Sequence, residues 1–357
     1  MKNIKVSIVC ISYNQEKYIA QALDGFVSQK VNFNFEAIVA DDCSTDSTSK
    51  IINEYAKKYP NIIKPVLRKK NIGVQANLID ALKRATGDYI ALCEGDDFWT
   101  DEHKLQKQVD FLDKNDDYSL CFHPVSIIYD NKEQPDAIFP VEKDGFTLEK
   151  LLKSNYIQTN SVMYRRREYN TIPLNILPID WYLHLFHAQF GKIGFINQNM
   201  SSYRRHAGGI WWGSKAPDLL FWNKYAQLHI NLFEEVKRLF IDSSEDTQSI
   251  IALSESTLLL SIMETCRQTR NGAKFIENLA ISNPTVFIIL SQTLQKELEK
   301  ALKRAQTNHD IAQQARKEAD LKNQELVTVT HEVEELRNSL SWHITKPLRF
   351  IRKIYKQ

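Results

Sequence analysis

Four short apolar runs alternate with three helix-patterned stretches between Lys5 and Cys93, and that alternation limits what the chain can fold into. Lys5 to Ile11 reads as a strand, followed by the polar turn Ser12-Tyr13-Asn14. Ile19, Leu23, Phe26 and Val27 then recur at helical spacing. Phe35 to Ala40 is a second apolar run and ends in Asp41-Asp42-Cys43-Ser44-Thr45-Asp46, whose Ser, Thr and Asp suit the start of a helix. That helix carries Ile51, Ile52, Tyr55, Ala56 and Tyr59 and stops at Pro60. Ile62 to Leu67 is a third strand, and Asn71-Ile72-Gly73 opens a helix with Ala76, Ile79 and Leu82 that ends before Gly87. Asp88 to Cys93 is the fourth strand. Strands alternating with helices predict an α/β fold with a doubly wound, mainly parallel sheet.

The fourth strand runs into Glu94-Gly95-Asp96-Asp97. Carboxylates this close repel one another, so a cation is expected among them. Oxygen ligands at the carboxyl end of a strand suit Mg²⁺ or Mn²⁺ shared with a phosphate, and ligands of open α/β sheets bind at that edge. Asn14, Asp42, Glu94 and Asp96 all fall at strand ends. A nucleotide lying across them would meet acceptors for a base N–H and a ribose hydroxyl, then a metal for its diphosphate. Neither a GxGxxG turn nor a Walker lysine loop follows the first strand, which argues against a nicotinamide dehydrogenase and a P-loop NTPase.

The second half is less regular. Leu105, Val109 and Leu112 mark a helix, Ser119 to Tyr129 reads as extended and Pro135 to Gly145 as a loop. Ser161 to Tyr164 reads as a strand. Pro178-Ile179-Asp180-Trp181 opens an aromatic, His-containing helix that ends at Gly191, and a short strand follows at Lys192 to Ile196. The segment from Met200 to Arg205 leads into a loop, His206 to Gly213, whose glycines and paired Trp211 and Trp212 predict a mobile aromatic cover. Phe221 to Leu290 is helical in pattern. From Leu298 a heptad sets Leu298, Ala305, Ala312, Ala319, Leu326, Val333 and Leu340 at a, with Ala301, Ala315, Val329 and Leu336 at d. Only Asn308 and Lys322 interrupt the seam, which predicts a coiled coil and a homodimer. Beyond Glu335 no acidic residue occurs, and Lys346, Arg349, Arg352, Lys353 and Lys356 interleave with apolar residues. That pattern predicts a basic amphipathic tail for an anionic membrane surface.

Net charge is only +2 over 357 residues, so no global field points to nucleic acid. Cys10, Cys43, Cys93, Cys121 and Cys266 form no CxxC pair, so neither a zinc site nor a disulfide framework is expected, and a reducing cytoplasm fits. Val6 to Ile11 is too short for a signal-peptide core. The expected organisation is a regular first half (1–100), a less regular second half (101–220), a helical region (221–290), a coiled coil (291–340) and the basic tail (341–357).

Taken in order, Val6-Ser7-Ile8-Val9 through Tyr13-Asn14, Asp41-Asp42 with Ser44-Thr45-Asp46, Asn71-Ile72-Gly73 and Glu94 to Asp97 resemble glycosyltransferase family 2, the inverting enzymes of the GT-A fold. The resemblance covers residues 3 to 215 and implies that 1–100 is the nucleotide-sugar-binding half and 101–220 the acceptor-binding half of a GT-A domain. It implies that Asp42 contacts the nucleotide base and that the acidic cluster plays the part of the family's DxD motif. Asp96 is then the first metal ligand, Asp97 can substitute for it, and Glu94 takes ribose or metal. Ser12, Tyr13, Asn14 and Asn71 fall in the donor-binding segments. Asp180-Trp181 resembles the catalytic-base position at a helix start. Tyr203-Arg204-Arg205-His206 with Gly208-Gly209 is similar to the segment that closes over the donor diphosphate, which assigns Arg204 and Arg205 to the donor and His206 to the metal or the diphosphate. Ser339-Leu340-Ser341-Trp342 with Thr345 to Arg349 is similar to tails that follow coiled coils on bacterial surface-polysaccharide glycosyltransferases. The implied activity is transfer of one sugar from a nucleotide-sugar donor to a hydroxyl of a lipid-linked glycan acceptor at the inner face of the membrane.

Other readings of the same residues stand beside these. Asp180 can simply cap its helix. Asp180, His184 and His187 share a helical face, which would suit a metal hydrolase. Trp99, Trp211 and Trp212 can stack on sugar rings or fill the core. Arg165-Arg166-Arg167 reads as a solvated face before a phosphate clamp. A scaffold carrying an inactive transferase fold and a sugar-nucleotide nucleotidyltransferase are the competing functions.

Overall fold

A computed structural model describes residues 3–130, 137–139, 145–209, 218–267, 269 and 271–338. Its centre is a seven-stranded sheet. β1 (Val6–Ser12), β2 (Phe35–Asp41), β3 (Ile63–Leu67) and β4 (Tyr89–Leu92) are the parallel strands expected from the first half, with β1 between β2 and β4. β6 (Tyr118–Phe122), β9 (Met163–Arg165) and β10 (Lys192–Phe195) extend it in the order β10-β6-β9-β4-β1-β2-β3. β9 runs antiparallel to both β4 and β6, so the sheet is mostly rather than wholly parallel.

Alternate residues of β1 serve opposite faces, as a twofold strand period requires. Val6, Ile8 and Cys10 are buried with α1 (Ile19–Val27), Ile52 of α2 (Thr48–Lys58) and Leu105, Val109 and Leu112 of α4 (Lys104–Lys114). Val9 and Ile11 are buried with α3 (Val74–Arg84), α5 (Leu148–Lys153) and α6 (Ile179–Ala188). Burial on both faces explains why β1, β2 and β4 read as unbroken apolar runs, while β3, at the sheet edge, is largely exposed.

A second sheet has four strands, in the order β5-β11-β7-β8: β5 (Phe98–Trp99), β11 (Ser201–Arg205), β7 (Val125–Tyr129) and β8 (Ala137–Phe139). Its presence corrects the single extended stretch expected over Ser119 to Tyr129. The chain breaks at His123-Pro124 and passes from one sheet to the other, and proline has no N–H with which to continue a ladder. β8 also replaces part of the loop expected over Pro135 to Gly145, most of which lies outside the described residues.

The chain divides into two compact units, Met1–Leu290 and Ser291–Gln357. The first ends in a helical region. α7 (Leu219–Leu239), α8 (Glu245–Arg267), α9 (Gly272–Ser282) and the start of α10 (Pro284–Asn338) bury Trp222, Ile230, Ile262, Leu279 and Leu290 together. Among the described residues Glu245–Cys266 is the one helix long and apolar enough to cross a membrane. Here it also holds the buried Glu255, 2.9 Å from Lys237 Nζ. In the second unit the side chains from Leu302 to Glu335 are exposed, among them Leu326, Val329 and Val333 of the expected seam.

Candidate active site

The site forms where β1, β2 and β4 end side by side. β1 and β2 are in register through Ser12 and Asp41, and the Asp42 N–H donates to Ser12 O at 2.9 Å. The acidic turn folds back onto the end of β1, with Gly95 N donating to Ile11 O at 3.0 Å. The approach is close: a Cβ at Gly95 would sit 2.5 Å from Gln15 Oε1 and 2.7 Å from Ile19 Cδ1, so both side-chain ends would have to move aside. Asn14 and Cys43 both adopt positive φ, 54° and 66°. Asn tolerates that region, whereas Cys rarely enters it, so backbone strain is concentrated at the ends of β1 and β2.

Several of the expected donor-binding residues also knit these loops together. Asn14 Oδ1 accepts from Thr45 N at 2.8 Å, and Ser12 Oγ donates to Asp41 Oδ1 at 3.3 Å. Asp42 accepts from Ile72 N and Gly73 N, each at 2.9 Å, so its carboxylate fastens the Asn71 loop over the end of β2. Asn71 Oδ1 receives Gly73 N at 3.1 Å, and Tyr13 is exposed.

Glu94, Asp96 and Asp97 each present an oxygen within 4.8 Å of the others. Burial first, then the charges of Asp96 and Asp180, push Glu94 up to about 8. Burial first, then Asp96 and Glu94, push Asp97 well above the usual carboxylate range, against the opposing effect of Arg204. Asp97 Oδ1 accepts Arg204 N at 2.8 Å, and Asp96 Oδ2 lies 3.0 Å from His206 Nε2. Asp96 Oδ1 and Asp97 Oδ2 are buried without a hydrogen-bond partner. Two orphaned carboxylate oxygens among mutually repelling charges are the donor set a divalent cation satisfies, so these residues fit a metal.

β11 brings Arg204 and His206 to this turn through its antiparallel pairing with β5. All three Arg204 nitrogens reach protein acceptors: Nε to Asp96 O at 3.0 Å, Nη1 to Asp130 Oδ1 at 3.2 Å and Nη2 to Gln21 Oε1 at 2.7 Å. Its guanidinium also lies 4.9 Å from the Tyr18 ring centre. Arg205 Nε is buried without a partner. Tyr18 donates to Asp130, and its ring centre lies 4.7 Å from that of His206. Sequence reasoning missed Tyr18, Gln21 and Asp130. Tyr18 and Asp130 are 112 residues apart, and neither belongs to a motif.

Asp180 sits in the first turn of α6 and accepts at Oδ2 from Asn155 Nδ2 at 3.2 Å and Thr159 Oγ1 at 3.3 Å. Burial raises its pKa, while the Trp181 N–H, Thr159 and Asn155 act in the opposite direction. Its charge is also felt at Glu94. The N-cap of α6 is Pro178, and no side chain caps it by a hydrogen bond.

Two open alternatives are decided in favour of packing, for the histidines of α6 and for Trp99, and one reading, that of Arg165, is corrected. His184 and His187 are fully buried rather than open to a metal: His184 Nδ1 lies 2.5 Å from Tyr164 Oη, and His187 stacks on the Tyr164 ring at 4.0 Å. Burial drives His184 down to about 3. Trp99 belongs to the core, with Nε1 donating to Asn160 O at 3.0 Å and Lys104 Nζ 4.2 Å from its ring centre. Arg165 is neither a solvated face nor a phosphate clamp, because it donates to the carbonyls of Leu112, Asn115 and Tyr118. Trp211, Trp212 and the rest of 210–217 lie outside the described residues, as does the tail 339–357.

The model of the family described as Glycosyl transferase family 2 matches residues 7–207. The uncharacterized protein Rv1520 of Mycobacterium tuberculosis is 51% identical over 219 residues, covering 61% of this chain and 63% of that protein. The chain thus spans somewhat under two thirds of that relative's length. Poly(ribitol-phosphate) beta-glucosyltransferase of Bacillus spizizenii is 31% identical over 172 residues, covering 45% of this chain and 27% of the enzyme. The crystal structure of S. aureus TarS 1-349 in complex with UDP-GlcNAc superposes with a TM-score of 0.51 at 16% identity, covering 83% of this chain and 92% of that one. At that identity the likeness is one of fold.

Proposed function

The chain belongs to glycosyl transferase family 2, and from that premise we propose that it moves one sugar from a nucleotide-sugar donor to a hydroxyl of a glycan acceptor, with inversion. The observation that carries this reading is the cluster of half-buried Glu94 and Asp96 with buried Asp97, with its orphaned oxygens, at the carboxyl edge of a mostly parallel sheet. Asp96 and Asp97, with His206 beside them, would hold Mn²⁺ or Mg²⁺. Bound there, the cation offsets the charge of the diphosphate leaving group as a Lewis acid.

The rest of the chemistry falls to the chain itself. Ser12, Tyr13, Asn14, Asp42 and Asn71 surround the edge that takes the nucleoside, and Glu94 offers an acceptor for ribose. Asp180 takes the proton of the acceptor hydroxyl as that oxygen bonds to the anomeric carbon and the bond from that carbon to the diphosphate breaks. One general base contributes roughly 10²–10⁴-fold. Arg204 holds the acidic turn through Asp96 O, and Arg205 supplies a cation beside it. We further place the acceptor on a lipid carrier of a surface polysaccharide and the protein at the inner face of the membrane. The support is the basic amphipathic sequence of the tail and the similarity to a poly(ribitol-phosphate) beta-glucosyltransferase.

The test is product identity with a panel of nucleotide sugars and glycan acceptors. Nucleoside diphosphate is expected, lost in EDTA and restored by Mn²⁺ or Mg²⁺. Pyrophosphate would mean a nucleotidyltransferase. Absence of any product would favour a scaffold, and full turnover in EDTA would remove the metal from the proposal.

A further inference from the structure

The segment between α5 and β9 touches both halves of the site. Asn155 and Thr159 donate to the same oxygen of Asp180, Oδ2. Asn155 Oδ1 in turn receives Ile157 N at 3.2 Å, which holds the donating amide in one orientation. A few residues on, Asn160 O accepts Trp99 Nε1 at 3.0 Å, and Asn160 Nδ2 donates to Ser202 O at 2.9 Å. Ser161 O accepts Gln108 Nε2 at 2.8 Å. Asn160 and Ser161 are fully buried. The segment is therefore stapled to β5, β11 and α4. β5 directly follows the acidic turn, and β11 delivers Arg204 and His206 to it.

We propose that Asn155 and Thr159 are positioning residues for transfer: they hold Oδ2 of Asp180 and leave Oδ1 as the oxygen that meets the acceptor hydroxyl. This rests on Asp180 being the proton acceptor. A carboxylate free to rotate presents either oxygen at many angles, whereas two donors on one oxygen select a single rotamer, and productive geometry is needed before proton transfer. The same two bonds favour the ionised form, which burial opposes. Through Asn160 and Trp99, the segment also fixes the distance between Asp180 and the turn that carries Asp96. The Trp181 N–H of α6 also favours the ionised carboxylate, but capping does not account for the two side-chain donors, which both come from outside α6.

The experiment compares Thr159→Val, Thr159→Ser, Asn155→Ala and Asp180→Asn in the full chain, reading kcat, donor KM, nucleoside-diphosphate affinity and melting temperature. Thr159→Val keeps the shape and removes the hydroxyl. It should lower kcat about tenfold with donor KM and nucleotide affinity within about twofold, as expected when only transition-state geometry is lost. Thr159→Ser should restore the rate, and Asn155→Ala should behave like Thr159→Val. Unchanged kcat in Thr159→Val overturns the proposal. So does equal impairment by Val and Ser, or a loss that tracks a lower melting temperature and a raised donor KM, since either points to packing. Full turnover by Asp180→Asn removes the base itself, and absence of turnover in the wild-type protein removes the transfer reading.

Discussion

Asp96 and Asp97 are neighbours in sequence but face different partners. Asp97 is held by the Arg204 backbone N–H and is almost wholly buried, while Asp96 meets His206 and keeps some exposure. Asp96 is thus the more available ligand, with Asp97 as its buried support. Removing one charge from a repelling cluster relieves strain that a cation would otherwise relieve. Asp96→Asn should therefore melt no lower than the wild type without metal and should lose both the stabilisation by Mn²⁺ and the Mn²⁺-dependent binding of nucleoside diphosphate. A wild-type protein with saturating ligand, at about 100 times its Kd, should gain about 2.7 kcal/mol. Thermal shift with and without Mn²⁺ reads all of this, and an unchanged metal response in the variant would move the primary ligand to Asp97. The acidic cluster could be read from its spacing alone. The partners of Asp180 could not, because Asn155 and Thr159 lie 25 and 21 residues upstream in a stretch with no motif.

At the level of elements, the crossover strand β9 joins the two halves of the main sheet, and Arg165 at its end is what fastens it. Its guanidinium reaches the Leu112 and Asn115 carbonyls at the end of α4 at 2.7 and 3.1 Å, and the Tyr118 carbonyl of β6 at 2.8 Å. The Leu112 and Asn115 carbonyls also accept Asn115 N and Tyr118 N, each at 3.1 Å, so the guanidinium adds a second, charged donor to each at the negative end of the helix. Arg165→Met keeps the stem and removes the donors. It should destabilise by about 1.5–3 kcal/mol, the range for hydrogen bonds to a charged group, with the lower end favoured because the side chain keeps some exposure. Specific activity of the folded fraction should hold. A melting temperature equal to wild type would show that water replaces these bonds without loss.

The scale of the whole molecule brings in the second unit. That unit, from Ser291, is helical through Asn338. Leu326, Val329 and Val333 lie exposed along it, and the described alanines of the seam, Ala305, Ala312, Ala315 and Ala319, are exposed too. We propose that a second copy of the chain covers this seam, since heptad seams bury their apolar positions against a partner helix. A dimer would set two basic tails together, each offered about 1 kcal/mol per basic residue near an anionic leaflet, and linked weak contacts hold by avidity. Full-length protein should sediment as a dimer and float with anionic liposomes, whereas a chain ending at Leu290 should do neither. Equal flotation of both would sink the membrane reading, and a full-length monomer would sink the pairing.

Periodicity and strand-end polarity are local properties, and from them alone the parallel half-sheet, its helices and the acidic edge could be derived. Buried parallel strands announce themselves as apolar runs, and ligand carboxylates as polar breaks where those runs stop. What periodicity does not carry is which distant segments meet. Only the tertiary structure placed β9 antiparallel between β4 and β6, sent β6 and β7 into different sheets and brought β5, two residues long, against β11. It also decided that Trp99 packs inside instead of stacking on a sugar, that His184 and His187 fill the core and that Arg204 braces the acidic turn. Each of these depends on contacts between residues far apart in the chain. Burial and partner choice at such contacts are set by the packing of whole elements, which no short window of sequence contains.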